Sequence, residues 1–339
     1  MPYKKKSKSW KTYLNNLPKS NLKILVIRFS SIGDIVLTTP VIRCLKKQIP
    51  AAEIHFLTKE NFVSLVKNNP YVSKVYTIKD KVSEIRTELE KEKYDYVIDL
   101  HHNLRSSRAK RMLKAKTFSF NKLNIEKWLL VNFKINKLPH VHIVDRYFEA
   151  VKSLGITNDN AGLDFFIPAQ DEVNVNTAFG FSNYHALVAG GSYYTKQIPI
   201  NKLKEICKLS DKPVIILGGK EDVTIGAQLE KEFPNKVFSA CGKFNLNQSA
   251  SIIKQADRVI TSDTGLMHIA SAFKKDIFSL WGNTIPEFGM SPYIAGDKSR
   301  ILEVKNLSCR PCSKLGYSKC PKGHFKCMNE IDVKNIFTD

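Results

Sequence analysis

The sequence predicts an α/β protein built from two doubly wound parallel-sheet domains. Two observations lead to this prediction: short apolar segments of strand length alternate with amphipathic segments of helix length, and the alternation occurs twice along the 339 residues. Strands joined by helix-length crossovers form parallel sheets with helices on both faces. Ligands of such sheets bind beyond the carboxyl ends of the strands, so the turns that follow the strands are where we expect functional residues.

The elements follow in order along the chain. Strands are predicted at 22–29, 53–58, 74–78, 94–100 and 115–120, and again at 185–190, 213–219, 236–240, 258–262 and 276–282. Helical spacing of apolar residues is clear at 39–48 and 247–256. The segment 166–184 has no clear period. We therefore expect a basic, disordered tail at 1–20, a first domain at 21–167, a linker at 168–184, a second domain at 185–307 and a cysteine-rich tail at 308–339.

Positive charge is concentrated in two segments. The chain carries 53 Lys and Arg against 32 Asp and Glu, a net charge of +21. Residues 1–23 contain seven Lys and no acid, and residues 104–137 contain ten basic residues and one acid, so they supply 7 + 9 = 16 of the 21 charges. The second segment is also rich in bulky apolar residues. This composition suits an anionic membrane surface, an acidic amphiphilic substrate or nucleic acid, or else a solvated lysine-rich surface.

Other features of the composition narrow the class of protein. No apolar run reaches the roughly 20 residues that would span a bilayer, and no apolar segment of the kind found in secretory signals follows the basic N-terminus. Seven cysteines in a chain of this length do not indicate a disulfide scaffold. We therefore expect a cytoplasmic protein.

The turns after the first strands of the two halves contain small and polar residues. In the first, within 28–40, Asp34 begins a helix, where it is either a capping residue or a general base pointing into a cleft. The dinucleotide pattern G-x-G-x-x-G is absent from this turn. In the second, within 188–199, Gly190 and Gly191 are followed by Lys196, which suits a phosphate group, although the P-loop spacing is lacking.

Two later turns in the second half carry candidate ligand-binding groups. At 216–222, glycines precede Glu221 and Asp222, either of which can bind ribose hydroxyls or simply lie in an exposed turn. At 259–273, Asp263, Thr264 and Gly265 begin a helix whose free N–H groups form an anion site suited to a diphosphate. His268 follows in the first turns of that helix, where it either faces a cleft or is a structural residue.

Together these motifs resemble glycosyltransferase family nine, the heptosyltransferases of lipopolysaccharide inner-core synthesis. The resemblance rests on five stretches in family order: ILVIRFSSIGDIVLTTPVI at 24–42, YDYVIDLHHNLRS at 94–106, ALVAGGSYYTKQIP at 186–199, SDTGLMHIASA at 262–272 and WGNTIPEFGMSPY at 281–293. It implies a GT-B fold, with the acceptor on the N-terminal domain and the nucleotide sugar on the C-terminal domain. It also implies inverting transfer of a heptose from ADP-heptose that needs no metal or other cofactor.

The resemblance implies a role for each matching residue. Asp34 would deprotonate the acceptor hydroxyl. The donor would be bound by Ser192, Lys196, Glu221, Asp222, Asp263, Thr264, Gly265 and His268, with Lys196 against the diphosphate and Glu221 or Asp222 at the ribose. The basic residues Arg105, Arg108, Arg111 and Lys114 would face an acidic glycolipid acceptor and the inner face of the cytoplasmic membrane, with which the protein would associate peripherally.

The C-terminal cysteines leave several interpretations open. Cys309, Cys312, Cys320 and Cys327, with His324 among them, have the ligand types of a structural zinc site, but reduced thiols or disulfides fit as well. A basic, zinc-containing nucleic-acid-binding protein is an alternative class, although this alternative does not account for the polar and glycine-rich turns that follow the strands. A transferase of the same fold that uses another nucleotide sugar is a second alternative. On the family resemblance, no nucleic-acid partner is expected.

Overall fold

The computed structural model describes residues 22–337 and consists of α-helices and parallel β-strands. The strands are β1 (Lys23–Ile27), β2 (Glu53–Lys59), β3 (Lys74–Ile78), β4 (Tyr96–Asp99), β5 (Lys116–Ser119), β6 (His185–Val188), β7 (Val214–Leu217), β8 (Val237–Ser239), β9 (Arg258–Ser262), β10 (Asp276–Trp281) and β11 (Arg300–Glu303).

The α-helices between the strands are mostly one to three turns long. They are α1 (Ile32–Val36), α2 (Thr39–Gln48), α3 (Arg86–Lys91), α4 (Leu104–Leu113), α5 (Asn124–Phe133), α6 (Ile143–Glu149), α7 (Val175–Phe179), α8 (Ile200–Leu209), α9 (Val223–Glu232), α10 (Leu246–Gln255), α11 (Gly265–Ala272) and α12 (Lys326–Asn329). Within residues 22–337, none of these helices is long and apolar enough to cross a membrane.

Each half of the fold contains one parallel sheet. The first sheet has the strand order β3-β2-β1-β4-β5 and the second has the order β11-β10-β9-β6-β7-β8. The central strands read as continuous apolar runs such as KILVI in β1 and VIIL in β7, and they are almost completely buried. Such runs are typical of strands covered on both faces. The predicted fold class, α/β with two doubly wound domains, is confirmed.

The predicted elements match the observed ones closely. All ten predicted strands are present, the helix predicted at 39–48 is α2, and the helix predicted at 247–256 is α10, one residue earlier. The sequence analysis missed β11, an edge strand whose first two residues are exposed. Its sequence RILE has only two apolar residues between two charged ones, which is too short an apolar run for the strand to be predicted.

The chain divides into two compact units, and this division differs from the predicted domain boundaries. Among the described residues, the first unit contains residues 22–30, Thr38–Lys122 and Val144–Asn160, and the second contains Ser31–Leu37, Leu123–Ile143 and residues 161–337. Three segments of the predicted first domain, Ser31–Leu37, Leu123–Ile143 and residues 161–167, thus pack with the second unit. The predicted linker also belongs to the second unit, because Val175 of α7 is buried in its core. The predicted tail at 1–20 lies outside the described residues.

Candidate active site

Asp34 lies on the short helix α1, which packs against α11 within the second unit. Its carboxylate accepts hydrogen bonds from the Ser31 hydroxyl at 2.8 Å and from the Ser31 backbone N–H at 3.2 Å. These bonds hold the carboxylate in the first turn of α1, where negative charge is favoured. The capping contact, one of the two predicted roles of Asp34, is therefore present, and the role of general base stays a prediction.

Two glycines allow α1 and α11 to pack closely. A Cβ atom on Gly33 of α1 would overlap Cδ2 of His268, and a Cβ atom on Gly265 of α11 would lie 2.7 Å from Cβ of Ile32. Real Cβ atoms do not approach other heavy atoms this closely, so the backbone of each helix occupies space that any side chain would fill. The S-x-G-D and D-T-G motifs therefore form one packed junction, which carries Asp34 to the start of α11.

His268 is the buried residue beneath this junction. Its side chain is 2% exposed, and burial lowers its pKa to about 4, although the carboxylates of Asp263 and Asp34 lie close enough to oppose that shift. The imidazole is therefore neutral at physiological pH. Within the described part of the chain, its Nδ1 atom has no hydrogen-bond partner. The ring thus supports Gly33 of α1 and leaves one buried polar atom unsatisfied.

Lys196 and Asp263 form an ion pair at the carboxyl edge of the second sheet. The Lys196 Nζ atom lies 2.6 Å from Oδ2 of Asp263, and the Thr284 hydroxyl donates to the same oxygen at 2.9 Å. Both side chains of the pair are largely buried. The carboxylate therefore fixes the position of the ammonium group. A carboxylate repels a phosphate, so this geometry favours Asp263 as the residue that orients Lys196 over the predicted direct phosphate contact.

The start of α11 lies beside this pair. Thr264 is the N-cap residue, its hydroxyl accepting a hydrogen bond from the Met267 N–H and lying 3.1 Å from the Thr261 hydroxyl. The backbone N–H groups of the first turn of this eight-residue helix give its N-terminus a partial positive charge. The Thr264 hydroxyl thus caps the helix, and the backbone N–H groups of the first turn of α11 are better candidates than this hydroxyl for binding an anion.

Two further polar side chains at this edge are buried and unsatisfied. Ser262 ends β9 and Asn283 follows β10, which is the neighbouring strand. Neither the Ser262 Oγ atom nor either polar atom of the Asn283 amide has a hydrogen-bond partner among residues 22–337, although Asn283 is 1% exposed. Sequence reasoning singled out neither residue as a ligand, because a lone Ser or Asn after a strand is an ordinary turn residue.

The glycine turns after β6 and β7 meet at Asp222. Cβ atoms on Gly190 and Gly218 would overlap its side chain, and its carboxylate accepts a hydrogen bond from the Gly219 N–H at 2.8 Å. Asp222 is 2% exposed, and burial raises its pKa. Its geometry therefore favours a structural role over the predicted contact with ribose. Glu221 and Ser192, the other predicted residues of these turns, are exposed.

In the first unit, the predicted basic residues lie on α4 after β4. Arg108 and Arg111 are exposed on one face of the helix together with Leu104, and Lys114 caps its C-terminal end in the left-handed conformation. Arg105 is half-buried, its guanidinium 5.6 Å from the centre of the Phe29 ring. The four predicted residues therefore differ in exposure: three of them extend into solvent, whereas Arg105 packs against Phe29.

Buried Asp99, which sequence reasoning missed, organises the turn between β4 and α4. Its carboxylate accepts hydrogen bonds from the backbone N–H groups of His101 and His102 and from the Ser106 hydroxyl, and Lys110 lies 2.9 Å from it. An acid at the end of a strand, followed by a helix, is the signal that could have identified it. Lys110 is therefore already paired, which separates it from the exposed arginines.

The basic segment predicted at 104–137 is divided between the two units. Residues up to Lys122 belong to the first unit, whereas helix α5 belongs to the second. In the sequence these basic residues form one continuous segment, because composition does not indicate where the chain passes from one hydrophobic core to the other. The prediction that the first domain, 21–167, holds the whole basic segment is therefore wrong for the part after Lys122.

The C-terminal cysteines lie close to one another, but their arrangement within residues 22–337 is not that of a ready-made metal site. No group of three or more His, Cys, Asp or Glu side chains there has an arrangement that could hold a metal ion, and the Cys309 Sγ atom is 4.0 Å from Nε2 of His324. All seven cysteines are free thiols. Cys327 is buried in the core of the second unit, and burial raises its pKa to about 12. The thiols of Cys309, Cys312 and Cys320 lie close enough to add to this shift, so zinc binding by the four cysteines stays a prediction.

Comparison with known proteins adds independent information. A family model described as glycosyltransferase family 9 (heptosyltransferase) matches residues 82–320. Lipopolysaccharide heptosyltransferase 1 of Campylobacter coli is 27% identical over 296 residues, which cover 78% of this chain and 84% of that protein.

Two solved structures share the fold. The glycosyl transferase family 9 structure from Veillonella parvula superposes with a TM-score of 0.70 at 24% identity, covering 86% of this chain and 88% of that one. The ADP-heptose lps heptosyltransferase II of E. coli superposes with a TM-score of 0.68 at 19% identity, covering 91% and 98%.

The fold and the family match define the class of protein. It is an enzyme of the glycosyl-transfer class with a GT-B fold. The chain belongs to glycosyltransferase family 9, the heptosyltransferase family. The alternative of a zinc-containing nucleic-acid-binding protein finds no support in these comparisons.

Proposed function

We propose that this enzyme transfers a heptose from ADP-heptose to an acidic glycolipid of the lipopolysaccharide inner core. One observation carries the proposal: the packing of α1 on α11 places Asp34 in the same compact unit as Lys196, Asp263 and the start of α11. A general base and a site for an anionic leaving group are thus built into one junction. The names of the Campylobacter coli and E. coli relatives support the choice of substrates.

The donor diphosphate is proposed to bind at the start of α11. The ammonium group of Lys196, held by Asp263, and the first N–H groups of α11 supply positive charge there. The unsatisfied Ser262 hydroxyl and Asn283 amide supply hydrogen-bonding groups at the same edge of the sheet. Exposed Glu221 is the candidate for the ribose hydroxyls. Asp222 and His268 shape the site from beneath, and Ser192 lies in the adjoining glycine turn.

The proposed reaction is a single displacement at the anomeric carbon. The Asp34 carboxylate takes the proton of the acceptor hydroxyl, whose oxygen forms a bond to that carbon as the bond to the diphosphate oxygen breaks. ADP leaves with the electron pair, and its charge is stabilised by Lys196 and by the N-terminus of α11. One displacement inverts the configuration. These groups supply the stabilisation that a divalent ion supplies in other transferases, so no metal is part of the proposal.

The acceptor and the location of the enzyme form the second part of the proposal. Arg108, Arg111 and Lys114 are exposed on or next to α4. Arg105, in the first turn of the same helix, has its guanidinium over the Phe29 ring. Such residues suit the phosphate groups of a glycolipid. A lipid-linked acceptor would bring the enzyme to the inner face of the cytoplasmic membrane as a peripheral protein.

The function is tested by measuring ADP release from ADP-heptose in the presence of a Kdo-lipid A type acceptor. We expect acceptor-dependent release by the native enzyme, undiminished by EDTA. Asp34→Asn should reduce it about 10²- to 10⁴-fold, the contribution typical of a general base. Thermal stabilisation by ADP should survive this change, and the exposed Asp80→Asn is the matched control.

Three results would contradict the proposal. Substantial turnover by Asp34→Asn would remove the base role from this residue. Release that requires a different nucleotide sugar would transfer the assignment to another donor. Loss of turnover on metal removal, restored by adding a divalent ion, would contradict the metal-independent mechanism.

A further inference from the structure

Helix α5 presents an apolar face to the solvent. Ile125, Trp128 and Phe133 are 72%, 54% and 59% exposed, and the Trp128 and Phe133 rings pack edge to face with their centres 5.2 Å apart. With about 100° between successive residues of a helix, positions 125, 128, 129, 132 and 133 share one side. Four of these five residues are apolar. A helix on a soluble core usually has the opposite polarity.

The other side of α5 fixes this orientation. Leu130 is buried with Leu123, Leu138, Ile285 and Phe288 in a small core of the second unit. Lys127 lies over the Phe288 ring, and the Lys134 ammonium donates to the Pro311 carbonyl at 2.6 Å. The helix is therefore held by its inner face, and the outward position of Trp128 is not a consequence of loose packing.

Charge and further apolar residues extend the outer face. The segment 123–143 contains three lysines and a single acid, Glu126, so its net charge is positive, although Lys127 and Lys134 reach toward the inner side of the helix. Ile135 and Val141, which follow the helix, are also 48% and 40% exposed. An apolar face that contains tryptophan, in a segment of net positive charge, is typical of helices that lie in the headgroup region of an anionic bilayer.

We infer that the outer face of α5, formed by Ile125, Trp128, Leu129 and Phe133, docks on an anionic lipid surface and inserts its apolar side chains among the headgroups. Ten residues of helix span about 15 Å, half the hydrocarbon thickness, so the helix lies in the plane of the surface. The lysine excess favours a lipid surface over a second copy of this chain, which would bring like charges together. The inference rests on the proposed function only in that a lipid-linked acceptor places the enzyme at a membrane.

Flotation with vesicles tests the inference directly, using the full chain. Vesicles of phosphatidylcholine with phosphatidylglycerol are compared with vesicles of phosphatidylcholine alone. We expect binding to the anionic vesicles that falls about tenfold or more in Ile125→Ser/Phe133→Ser, because two apolar side chains no longer leave water. The matched control is Leu209→Ser/Ile301→Ser, which removes two exposed apolar residues elsewhere in the same unit.

Tryptophan fluorescence gives a second measurement that does not depend on altering the face. Of the three tryptophans, Trp281 is fully buried, so a Trp10→Phe background leaves Trp128 as the reporter that can respond to lipid. A blue shift on adding anionic vesicles, with quenching by brominated lipid, is the expected result. An unshifted spectrum while the protein floats with the vesicles would overturn the assignment to α5.

Two other outcomes would overturn the inference. Equal vesicle binding by the α5 variant and the native chain would place docking elsewhere. A dimer in vesicle-free solution that the α5 variant dissociates, without vesicle binding, would identify a second copy as the occupant. Failure of the proposed function gives a different result from failure of this inference. If ADP-heptose is not the donor, ADP release is absent but the protein still floats with anionic vesicles. If α5 does not dock on lipid, vesicle binding does not depend on α5 but ADP binding is intact.

Discussion

The start of α11 in the second unit and the outer face of α4 in the first both carry charge, but they hold it differently. At α11, Lys196 is paired with Asp263 at 2.6 Å, and the carboxylate is fixed by Thr284. On α4, Arg108 and Arg111 extend into solvent. Partly buried, paired charges keep one geometry, which suits stabilisation of a leaving group. Exposed arginines attract an acidic surface over a longer range, but salt screens them.

The largest expected effect comes from Lys196→Met, which leaves the Asp263 carboxylate without its ammonium partner beside the proposed diphosphate site. We expect kcat/KM for ADP-heptose to fall about 10²- to 10³-fold, the cost typical of removing one preorganised electrostatic group. ADP affinity should also fall, as measured by calorimetry. The control is Lys204→Met, which removes a lysine paired with Glu232 on a more exposed part of the same unit. A variant that binds ADP as tightly as the native enzyme would refute the diphosphate assignment.

An intermediate effect is expected from Gly33→Ala at the junction of α1 and α11. The added Cβ overlaps the His268 ring, so the helices must separate, and overpacking of this kind costs about 1–3 kcal/mol. Urea unfolding measures the loss. Gly191→Ala is the control, since its Cβ would meet only ordinary contacts beginning at 3.5 Å.

The double variant Gly33→Ala/His268→Ala sharpens this prediction. Removing the ring makes room for the methyl group, so the two changes should be non-additive, with the double variant more stable than the sum of the single losses predicts. Additive losses of stability would mean that the methyl group at position 33 does not clash with the His268 ring. The close packing of α1 on α11 would then not be the reason for a glycine at position 33.

The smallest expected effect comes from Arg108→Ser/Arg111→Ser on α4. Because each charge near an anionic lipid surface contributes about 1 kcal/mol, we expect binding to acidic glycolipid vesicles to weaken roughly tenfold or more at low salt. The difference should shrink as salt is added, and ADP affinity should not change. A parallel fall in ADP affinity would show that these arginines support the fold. The distinction between exposed charges on α4 and paired charges at α11 would then not hold.

Much of the fold could be predicted from the sequence because its signals are local. Buried parallel strands read as continuous apolar runs, and helices such as 39–48 show their own period. The turn residues Asp34, Lys196 and Asp263 could also be selected, since the carboxyl ends of parallel strands lie at one edge of a sheet. The exposed edge strand β11 has no such local pattern, and it was missed.

The detailed roles of several residues could not be predicted, because they depend on which atoms meet across the fold. The sequence cannot show that Asp263 fixes Lys196, that Asp222 is buried beneath two glycine turns, or that the buried side-chain amide of Asn283 has no hydrogen-bond partner among residues 22–337. Each of these facts is a distance between residues far apart in the chain. Asp99 illustrates the same limit, because its importance appears only when the N–H groups of the next turn converge on it.

Local patterns of neighbouring residues were enough to predict the α/β class, the order of the strands along the chain and the family motifs. The core that each segment joins depends instead on contacts between residues far apart in the chain. The tertiary structure placed Ser31–Leu37 and Leu123–Ile143 with the second unit, and so brought Asp34 to α11 and turned the apolar face of α5 outward. Packing is non-local: the fit of Gly33 against His268 and of Leu130 against Phe288 fixes these positions.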